Sequence, residues 1–536
     1  MKGKDYPKYE PYQPLDLKDL VRNQVSNNPS HMAFEFYQKK EYVTKTYQEF
    51  QDDIINLGTF FYANLLKDSK IAIIGENSYE WIVSYFATVI GSNVVVPIDK
   101  DLSIQEIYNI TENSGVEAIV YSDDYGDVAE ELQTLSTKIR CYFNMKNMNE
   151  YREKGQGEVQ QKKTFIDNEI DPDQLCTIIY TSGTTGKPKG VMLSNRNLAS
   201  NVAGSCQNVL VTESSMLVLP LHHTFAFTTS ILCMLNWGIR IPINSSLKKF
   251  NSDLKQFKPY CMFLVPMFVE TMYKRIWEVA NEKKITTKLK WVIGISNCLR
   301  RIGIDIRRLL FKQIIDQFGG NLGLIVSGGA FLEGKYIKGF EELGITVLNG
   351  YGISECSPVV AVNRNQYYSY KSVGLPLVSN EVKIGPCDQE GNGPILVKGP
   401  NVMLGYYKDE QATNNAICDG WFNTGDIGYL DSKGFLYITG REKNLIILSN
   451  GKNIYPEEIE AELMNCEWIH EVIVYGQEDR LHAAIFSELE NQDAVRKFIN
   501  TYNHGKPVFK QIQSITFREE EFKKTTTKKI IRNFTK

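Results

Sequence analysis

The stretch Tyr180-Thr181-Ser182-Gly183-Thr184-Thr185-Gly186-Lys187-Pro188-Lys189-Gly190 decides how this chain is organised. An apolar, β-prone run, residues 175–180, leads into it, so we expect a strand that feeds a loop. Glycines let the backbone approach an anion closely, and Ser, Thr and Lys add hydroxyl donors and positive charge. Polyphosphate is the ligand that suits this chemistry best. The alternative is a solvated turn. A turn explains any short Gly/Ser segment well, but it explains the whole eleven-residue stretch less well.

This loop differs from the Walker loop of many nucleotide-binding proteins. A Walker loop has four residues between its glycines and a Ser or Thr after its lysine. Here two residues separate Gly183 from Gly186, and Pro188 follows Lys187. The sequence therefore indicates another kind of phosphate-binding loop.

Length and composition exclude several classes of protein. At 536 residues the chain is too long for one ordinary core, so we expect two or more domains. It has 43% hydrophobic and 23% charged residues and a net charge of −3, which gives no reason to expect nucleic acid as a partner. The ten cysteines lack zinc-like spacing and are expected to be free thiols in a reducing cytoplasm. We expect neither a signal peptide nor a transmembrane segment.

The fold class follows from the alternation of elements. Short apolar runs alternate with helical patterns from residue 41 to residue 122, which predicts an α/β fold with mainly parallel sheets and flanking helices. Residues 123–170 lack a clear period and are expected to form surface helix and loop. From Val373 onward, frequent Gly and Pro between short β-prone runs predict a small, distorted β-barrel or a small antiparallel sheet. A boundary is expected between residues 440 and 441, dividing a large domain, 1–440, from a small α+β domain, 441–536.

Six further stretches accompany the loop in order: 219–225, 327–330, 349–355, 420–428, 439–446 and 525–532. Taken singly, each has a plain structural interpretation, such as a turn or a solvated basic tail. Together with the loop they closely resemble the adenylate-forming superfamily of acyl-CoA synthetases, luciferases and adenylation domains. Nearly the whole chain takes part in this resemblance, and bacterial long-chain fatty acid–CoA ligases are the most similar members.

The resemblance implies roles for individual residues. It assigns ATP binding to Thr181, Ser182, Gly183, Thr184, Thr185, Gly186, Lys187, Gly329, Ala330, Asn349, Tyr351, Gly352, Ser354, Asp426 and Arg441. It assigns Mg²⁺ binding to Glu355 and Thr184, and catalysis to Lys529, Glu355 and His223. Lys443 is implied as the hinge of a mobile C-terminal domain, and Phe225 and Phe227 as part of the acyl pocket.

Three positions depart from the family pattern. Phe331 stands where a Pro is common, and Ser354 stands where Thr is usual, which keeps the hydroxyl. Lys528 replaces a Gly beside the implied catalytic Lys529, so the two lysines share the role or the loop tolerates the change. A basic cluster, Arg300, Arg301, Arg307 and Arg308, is expected to be a solvated helix face; binding of a nucleotide 3′-phosphate is the alternative.

The implied reaction has two steps. A carboxylic acid, expected to be a fatty acid, attacks ATP to give an acyl-adenylate, and the thiol of coenzyme A then takes the acyl group. Transfer to the phosphopantetheine arm of an acyl carrier protein is an alternative, and so is a non-catalytic nucleotide-binding protein. The resemblance implies a cytoplasmic enzyme, for which peripheral contact with a membrane is conceivable.

Overall fold

The computed structural model describes residues 6–38, 40–181, 188–448, 452–477, 479–524 and 530–532. The chain forms two compact units. Unit 1 comprises residues 1–381 and 398–417, and unit 2 comprises residues 382–397 and 418–536. The chain therefore leaves unit 1, contributes a segment to unit 2, returns, and leaves again.

The largest sheet of unit 1 has seven strands within the described residues. In spatial order they are Gly405–Tyr406, Lys189–Ser194, Leu175–Thr181, Val94–Pro97, Lys70–Ile74, Ala118–Tyr121 and Cys141–Asn144. The five strands from Leu175–Thr181 to Cys141–Asn144 are parallel. The two strands at the other edge are antiparallel. Mainly parallel pairing confirms the α/β fold predicted from the alternating pattern.

A second sheet of unit 1 has six strands in the described part of the chain. Their order is Leu375–Pro376, Val359–Val362, Thr346–Gly352, Leu324–Ser327, Cys261–Leu264 and Ser215–Met216. The last four are parallel, and the first two add antiparallel. A smaller sheet pairs Ile241–Pro242, Met32–Gln38 and Glu41–Thr46. Carboxyl ends of the parallel strands, such as Ser327 and Asn349, lie side by side, as ligand-binding edges of such sheets do.

Helices join the strands of unit 1. They are Leu17–Asn27, Tyr47–Ala63, Tyr79–Ile90, Ile104–Ser114, Gly126–Leu135, Met148–Gly157, Val159–Asp167, Asn195–Asn208, Cys233–Trp237, Phe250–Phe257, Pro266–Glu282, Thr286–Arg301, Arg307–Leu310, Lys312–Gln317, Gly334–Glu342 and Glu410–Ala416. A π-helical segment, Ala226–Leu232, precedes Cys233–Trp237. None of the helices in the described residues is long and apolar enough to cross a bilayer.

Local sequence signals explain where several helices begin. Thr46 accepts a hydrogen bond from the backbone of Glu49, whose carboxylate bonds back to the Thr46 N–H, so a capping box starts the helix Tyr47–Ala63. Ser78 caps the helix Tyr79–Ile90 through the Trp81 N–H, at 3.2 Å.

Residues 123–170 are more regular than predicted. They contain the helices Gly126–Leu135, Met148–Gly157 and Val159–Asp167 and the strand Cys141–Asn144. The last two helices pack on Tyr47–Ala63. A Cβ atom at Gly155 would overlap the carbonyl oxygen of Asn56, so the contact requires glycine. The polar composition of this region gave no helical period in the sequence. The closest contact of these helices is made by a glycine and not by an apolar stripe.

A buried ionic network ties three of these helices together. The guanidinium of Arg152 donates to both carboxylate oxygens of Glu80, at 2.9 and 3.1 Å, and lies 3.5 Å from Asp53. Asp53 also accepts from Tyr79 and Lys45, each at 2.8 Å. Burial raises the pKa of Glu80 although Arg152 opposes the shift. The guanidinium therefore offsets the cost of two largely buried carboxylates.

In the part of the chain that the structure describes, unit 2 contains two larger sheets and a two-stranded ribbon, joined by short elements. One contains Glu381–Ile384, Gly393–Lys398, Trp421–Leu430 and Ile417–Cys418, with Leu436–Arg441 paired to Trp421–Leu430. The other contains Glu471–Gln477, Arg480–Phe486 and Ile512–Arg518, and a ribbon joins Ile446–Ile447 to Asn453–Ile454. The helices Pro456–Leu463 and Gln492–His504 pack on a core that includes Ile459, Leu463, Val495 and Ile499.

The division into units does not coincide with the domain boundary predicted between residues 440 and 441. Residues 440 and 441 lie in one strand of unit 2, Leu436–Arg441, and the barrel-like strands belong to the same unit as the C-terminal residues. Movement of 441–536 as a separate domain stays a prediction. All ten cysteines are free thiols, as expected.

Candidate active site

The predicted phosphate-binding loop connects two antiparallel strands of the seven-stranded sheet. Thr181 ends one strand and lies opposite Lys189, which begins the next. Six residues predicted to bind ATP lie outside the described residues: Ser182, Gly183, Thr184, Thr185, Gly186 and Lys187. The ends of the loop are therefore fixed by the pairing of Thr181 with Lys189 at this edge of the sheet.

Glu355, the predicted metal ligand, is a buried carboxylate with a defined partner. It lies in a short helical turn, Ser354–Cys356, after the strand Thr346–Gly352. The hydroxyl of Tyr406 donates to its Oε1 atom at 2.9 Å, and the N–H of Met403 donates to its backbone oxygen at 2.8 Å. Burial and the neighbouring Glu355 raise the pKa of Tyr406 well above its usual range, so Tyr406 remains a donor. Tyr406 thus orients the carboxylate.

A cation completes this arrangement. The ammonium group of Lys189 lies 4.8 Å from the ring centroid of Tyr406, within range for a cation–π interaction. Lys189 lies at the C-terminal end of the predicted phosphate-binding loop, and Tyr406 forms a hydrogen bond with Glu355. The structure therefore connects the exit of the predicted polyphosphate loop to the predicted metal ligand through one aromatic ring.

Two histidines precede the π-helical segment. The side chain of Asn77 fixes the chain before them, donating to the oxygen of Leu219 at 2.8 Å and accepting from the N–H of Leu221 at 2.9 Å. The Nε2 atom of His222 lies 3.1 Å from Nε2 of His223 and 3.4 Å from Oδ1 of Asp99.

Burial, and then His223, lower the pKa of His222 to about 3, although Asp99 acts in the opposite direction. His222 is therefore neutral at pH 7. In the tautomer that carries its hydrogen on Nε2, His222 can donate to His223 or to Asp99. Next to this pair, Thr224 donates to the hydroxyl of Ser354 at 3.3 Å. His223 and Ser354, both predicted site residues, thus belong to one region of unit 1.

Four of the residues predicted to bind ATP lie on two neighbouring turns. Gly329 has a φ of +84° and, with Ala330, is exposed after the strand Leu324–Ser327. Asn349 is buried, and its amide donates to the oxygen of Leu332 at 3.4 Å. Gly352 cannot carry a side chain, because a Cβ atom there would overlap the carbonyl of Pro358.

A cavity of unit 1 reaches both of these turns. It encloses about 630 Å³ of space free of protein atoms, part of it open to solvent. The glycine-rich turns contribute Gly328, Gly329, Gly350, Tyr351 and Gly352. The remaining walls are mainly apolar: Ser205, Cys206, Val209, Val211, Phe225, Thr229, Cys233, Met234, Trp237, Phe263, Val326, Pro358, Val359 and Val362.

The two predicted acyl-pocket residues have different positions. Phe225 lines the cavity, and its ring backs onto Gly328. Phe227 is buried in the aromatic core, with its ring centroid 3.9 Å from that of Tyr85 and 5.8 Å from that of Trp81. On this helical stretch, residues two positions apart point to different sides, so Phe225 faces the cavity while Phe227 faces the aromatic core.

The cavity wall also includes two thiols. Cys206 donates to the carbonyl of Cys233 at 3.6 Å, and both residues are buried. A hydrogen bond with Cys206, together with burial, raises the pKa of Cys233. The Cys233 thiol therefore remains protonated, and both buried cysteines pack as small apolar wall groups.

Unit 2 carries two further residues predicted to bind ATP, Asp426 and Arg441. Asp426 and Arg441 are opposite each other in neighbouring antiparallel strands, and Nε of Arg441 lies 2.7 Å from Oδ1 of Asp426. The Asp426 side chain is buried, whereas that of Arg441 is 39% exposed. Lys443 lies two residues further on, in a helical turn, and its pKa is lowered by burial and by Arg441 and Arg532.

The predicted catalytic Lys529 lies outside the described residues, but the segments on either side of it are described. Lys524 pairs with Ile530 in an isolated bridge and forms ion pairs with Glu471 and Glu521. Arg532 forms an ion pair with Glu460, whose pKa is raised to about 7 by burial even though Arg532 lowers it. These contacts fix both ends of the stretch that contains Lys528 and Lys529.

Sequence reasoning did not find every residue of the site. Tyr406 gave no signal, because its importance depends on Glu355, 51 positions away in the sequence. Asp99 likewise joins the histidines only through the fold. The valines and cysteines that line the cavity are residue types found in the core of any helix or strand, so the sequence does not single them out. Pairs that are remote in sequence need the tertiary structure to identify them.

The donor set around Glu355 fits Mg²⁺ that is held in part by phosphates. Within the described ranges, no cluster of three or more His, Cys, Asp or Glu residues could hold a metal. Mg²⁺ commonly takes only one or two carboxylates and keeps waters and phosphate oxygens as its other ligands. One oriented carboxylate near a phosphate loop therefore matches this ion better than it matches a metal caged by protein.

Known proteins resemble this chain in sequence and fold. Residues 21–407 match the family described as AMP-binding enzyme. The long-chain-fatty-acid–CoA ligase FadD15 of Mycobacterium bovis is 30% identical over 76% of this chain and 71% of its own length. A long-chain-fatty-acid–[acyl-carrier-protein] ligase, AEE15 of Arabidopsis thaliana, is 28% identical over 82% of this chain and 72% of its own length.

Among solved structures, the o-succinylbenzoate coenzyme A synthetase of Bacillus subtilis, in complex with ATP and magnesium ion, has the same fold. Its TM-score is 0.74 at 22% identity, with 96% of this chain and 98% of that chain covered. The family match covers well over half of this chain, and it contains the phosphate loop, the paired glycine turns and Glu355. The chain therefore belongs to the AMP-binding enzyme family.

Proposed function

We propose that this protein is an AMP-forming acid–thiol ligase that activates a fatty acid and transfers it to coenzyme A. The observation that carries the proposal is the mainly apolar cavity whose wall includes the glycine turns expected to hold adenine. An acid whose tail occupies this cavity has its carboxylate near the nucleotide. The names of the relatives, which include long-chain-fatty-acid–CoA ligases, support the choice of acid.

In the first step, a carboxylate oxygen attacks the α-phosphorus of ATP. An oxygen–phosphorus bond forms, the bond to the β-phosphate breaks, and pyrophosphate leaves. Thr181 and the following loop residues are proposed to grip the departing phosphates, with Lys187 and Lys189 supplying charge. Glu355 and Thr184 are the proposed ligands of Mg²⁺, which when bound neutralises charge on the phosphates.

The chain's own residues then act by position and charge. Tyr406 holds Glu355 in one orientation. The neutral His222 contacts His223, which is proposed to lie beside the carboxylate of the substrate. Lys529 is proposed to stabilise the charge that develops around the α-phosphate. Loss of a comparable charge-stabilising group typically costs about 10²–10³-fold in rate.

In the second step, a thiol attacks the carbonyl carbon of the acyl-adenylate. A carbon–sulfur bond forms, AMP leaves with the bridging oxygen, and the thiol proton passes to solvent. Rotation of residues 441–536 about Lys443, which would exchange Lys529 for the thiol, stays a proposal based on the resemblance. Asp426 and Arg441, paired at 2.7 Å, are the proposed ribose contacts.

ATP–pyrophosphate exchange with a panel of carboxylic acids tests the first step. Exchange that depends on an aliphatic acid supports the proposal, and ATP binding without exchange for any acid supports a non-catalytic nucleotide-binding protein instead. The Lys529→Ala variant should lose exchange yet still convert supplied acyl-adenylate and coenzyme A into thioester. The Lys528→Ala variant, changed at the neighbouring lysine, is the matched control. Equal loss of both steps in Lys529→Ala would mean that another residue is the catalytic lysine.

A second acceptor has support from one relative, which is named as a ligase for acyl carrier protein. Release of AMP should be measured with coenzyme A and, separately, with a carrier protein bearing its phosphopantetheine arm. We expect coenzyme A to be the better acceptor. A preference for the carrier would leave the adenylation step intact and replace the acceptor. Cytoplasmic location remains a prediction from the resemblance.

A further inference from the structure

The helix Thr286–Arg301 presents apolar side chains on two opposite sides. Its inner side packs Leu289, Val292 and Ile293 against the core of the second sheet. Its outer side carries Trp291, Ile295 and Cys298 at helical spacing, and Ile302 continues the stripe just beyond the helix end. Burial of the inner side alone accounts for the packing of this helix, so the outer stripe serves no purpose within unit 1.

The outer stripe is strongly exposed. Trp291 is 73% exposed, Ile295 43% and Ile302 71%. A shallow surface groove runs along these residues and includes Gly294 and Leu299. Isolated exposed apolar residues are normal on a protein surface, but a contiguous stripe of a Trp and two Ile residues marks an interaction surface.

The same segment is basic. From Lys283 to Ile304 the sequence contains six Lys or Arg residues and no Asp or Glu, although the whole chain carries a net charge of −3. Arg300 pairs with Glu341 at 2.7 Å. The remaining five, Lys283, Lys284, Lys288, Lys290 and Arg301, are exposed.

We propose that this surface, residues 283–302, docks on an anionic lipid bilayer. An amphipathic helix with Trp and aliphatic residues on one side and Lys or Arg beside them lies in the interfacial plane of a membrane. The stripe would enter the headgroup boundary while the five basic residues contact anionic headgroups. Nucleic acid fits less well, because phosphate contacts need positive charge but no apolar stripe. This proposal does not depend on which acid the enzyme activates.

Sedimentation of the full-length protein with vesicles tests the proposal. The vesicles are made either of phosphatidylcholine alone or of equal parts phosphatidylcholine and phosphatidylglycerol. We expect binding to the anionic vesicles that is much weaker on neutral vesicles and falls as salt rises, because headgroup attraction is screened. Equal binding to both vesicle types, or to neither, would overturn the proposal.

Two variants separate the contributions of the surface. Lys288→Gln with Lys290→Gln should lower partitioning onto anionic vesicles roughly 30-fold, at about fivefold for each basic residue. Trp291→Asp with Ile302→Asp should lower it by about tenfold or more through loss of apolar insertion. Neither variant touches the proposed catalytic residues, so acid-dependent ATP–pyrophosphate exchange should be unchanged and reports that both variants are folded.

A matched control uses apolar residues that are equally exposed elsewhere. Val159 is 79% exposed and Leu489 80% exposed. Val159→Asp with Leu489→Asp should bind anionic vesicles as the unaltered protein does. If this control loses binding as much as the Trp291/Ile302 variant, the docking surface is wrong. If light scattering without lipid shows a dimer that only Trp291→Asp with Ile302→Asp dissociates, and vesicles are not bound, the occupant is a second copy of the chain.

Discussion

Replacing Trp237 with alanine should lengthen the acids that this enzyme prefers. Trp237 lines the apolar cavity, at the end of the helix Cys233–Trp237. Its indole N–H donates to the carbonyl of Val209 at 3.2 Å, and the ring of Tyr9 meets it edge-on with centroids 6.4 Å apart. These contacts hold the indole in place, so it limits the space available to a bound acyl chain.

The magnitude follows from the size of the side chain that is removed. Allowing for partial collapse of the walls, loss of the indole should admit about four further methylene groups. At ~0.8 kcal/mol for each buried methylene, these should contribute roughly 3 kcal/mol, or about 200-fold in kcat/KM for acids that the unaltered cavity cannot hold. Acids that already fit should lose a few-fold, because the enlarged cavity packs less tightly around them.

The assay is coenzyme A-dependent release of AMP with a series of saturated acids of increasing length. Trp237→Phe, which keeps a ring, should shift the optimum less than Trp237→Ala. Phe227→Leu is the matched control, because Phe227 packs against Tyr85 in the aromatic core. An unchanged length profile in a folded Trp237→Ala protein, or an equal shift in Phe227→Leu, would refute the assignment of this cavity to the acyl chain.

Three further predictions concern the frame of the site. Arg152→Met should cost about 3–5 kcal/mol in urea unfolding because the buried carboxylate of Glu80 loses its guanidinium partner, and the loss should be smaller at pH 5 than at pH 8, since burial raises the pKa of Glu80 and an unpaired Glu80 takes up a proton as the pH falls; an equal loss at both pH values would contradict this. Gly352→Ala should unfold at a clearly lower temperature, whereas Gly350→Ala, whose Cβ atom would lie 3.4 Å from its nearest neighbour, should be nearly neutral in the same scan. Tyr406→Phe should lower kcat about tenfold and raise the Mg²⁺ concentration for half-maximal rate, because Glu355 loses its orienting hydrogen bond; normal Mg²⁺ dependence would argue against Glu355 as the metal ligand.

Local sequence signals predicted much of the fold because they act over a few residues. Thr46 and Ser78 cap their helices through local hydrogen bonds, and the run at residues 70–74, part of the alternation between residues 41 and 122, forms a parallel strand. The two helices between residues 148 and 167 were predicted only as surface helix and loop, without bounds. Their closest contact is the glycine–backbone approach at Gly155, which leaves no apolar period in the sequence.

The candidate site was predictable only where its residues are contiguous. The turn 349–355 carries its own pattern, so Asn349, Gly352 and Glu355 could be identified before the structure was known. Tyr406 and Trp237 depend on partners far away in the sequence, Glu355 and Val209, and no local pattern marks them. The resemblance implied Phe227 as an acyl-pocket residue, but it lies two positions along a helical stretch from Phe225, so its side chain packs in the aromatic core instead.

Transfer of oxygen from the acid to AMP tests the central claim most directly. A fatty acid labelled with ¹⁸O in both carboxylate oxygens is incubated with the enzyme, ATP, Mg²⁺ and coenzyme A, and the AMP is analysed by mass spectrometry. Attack of the carboxylate on the α-phosphorus predicts one ¹⁸O atom in each AMP and none in pyrophosphate. Unlabelled AMP, or label in inorganic phosphate alongside ADP, would contradict activation through an acyl-adenylate.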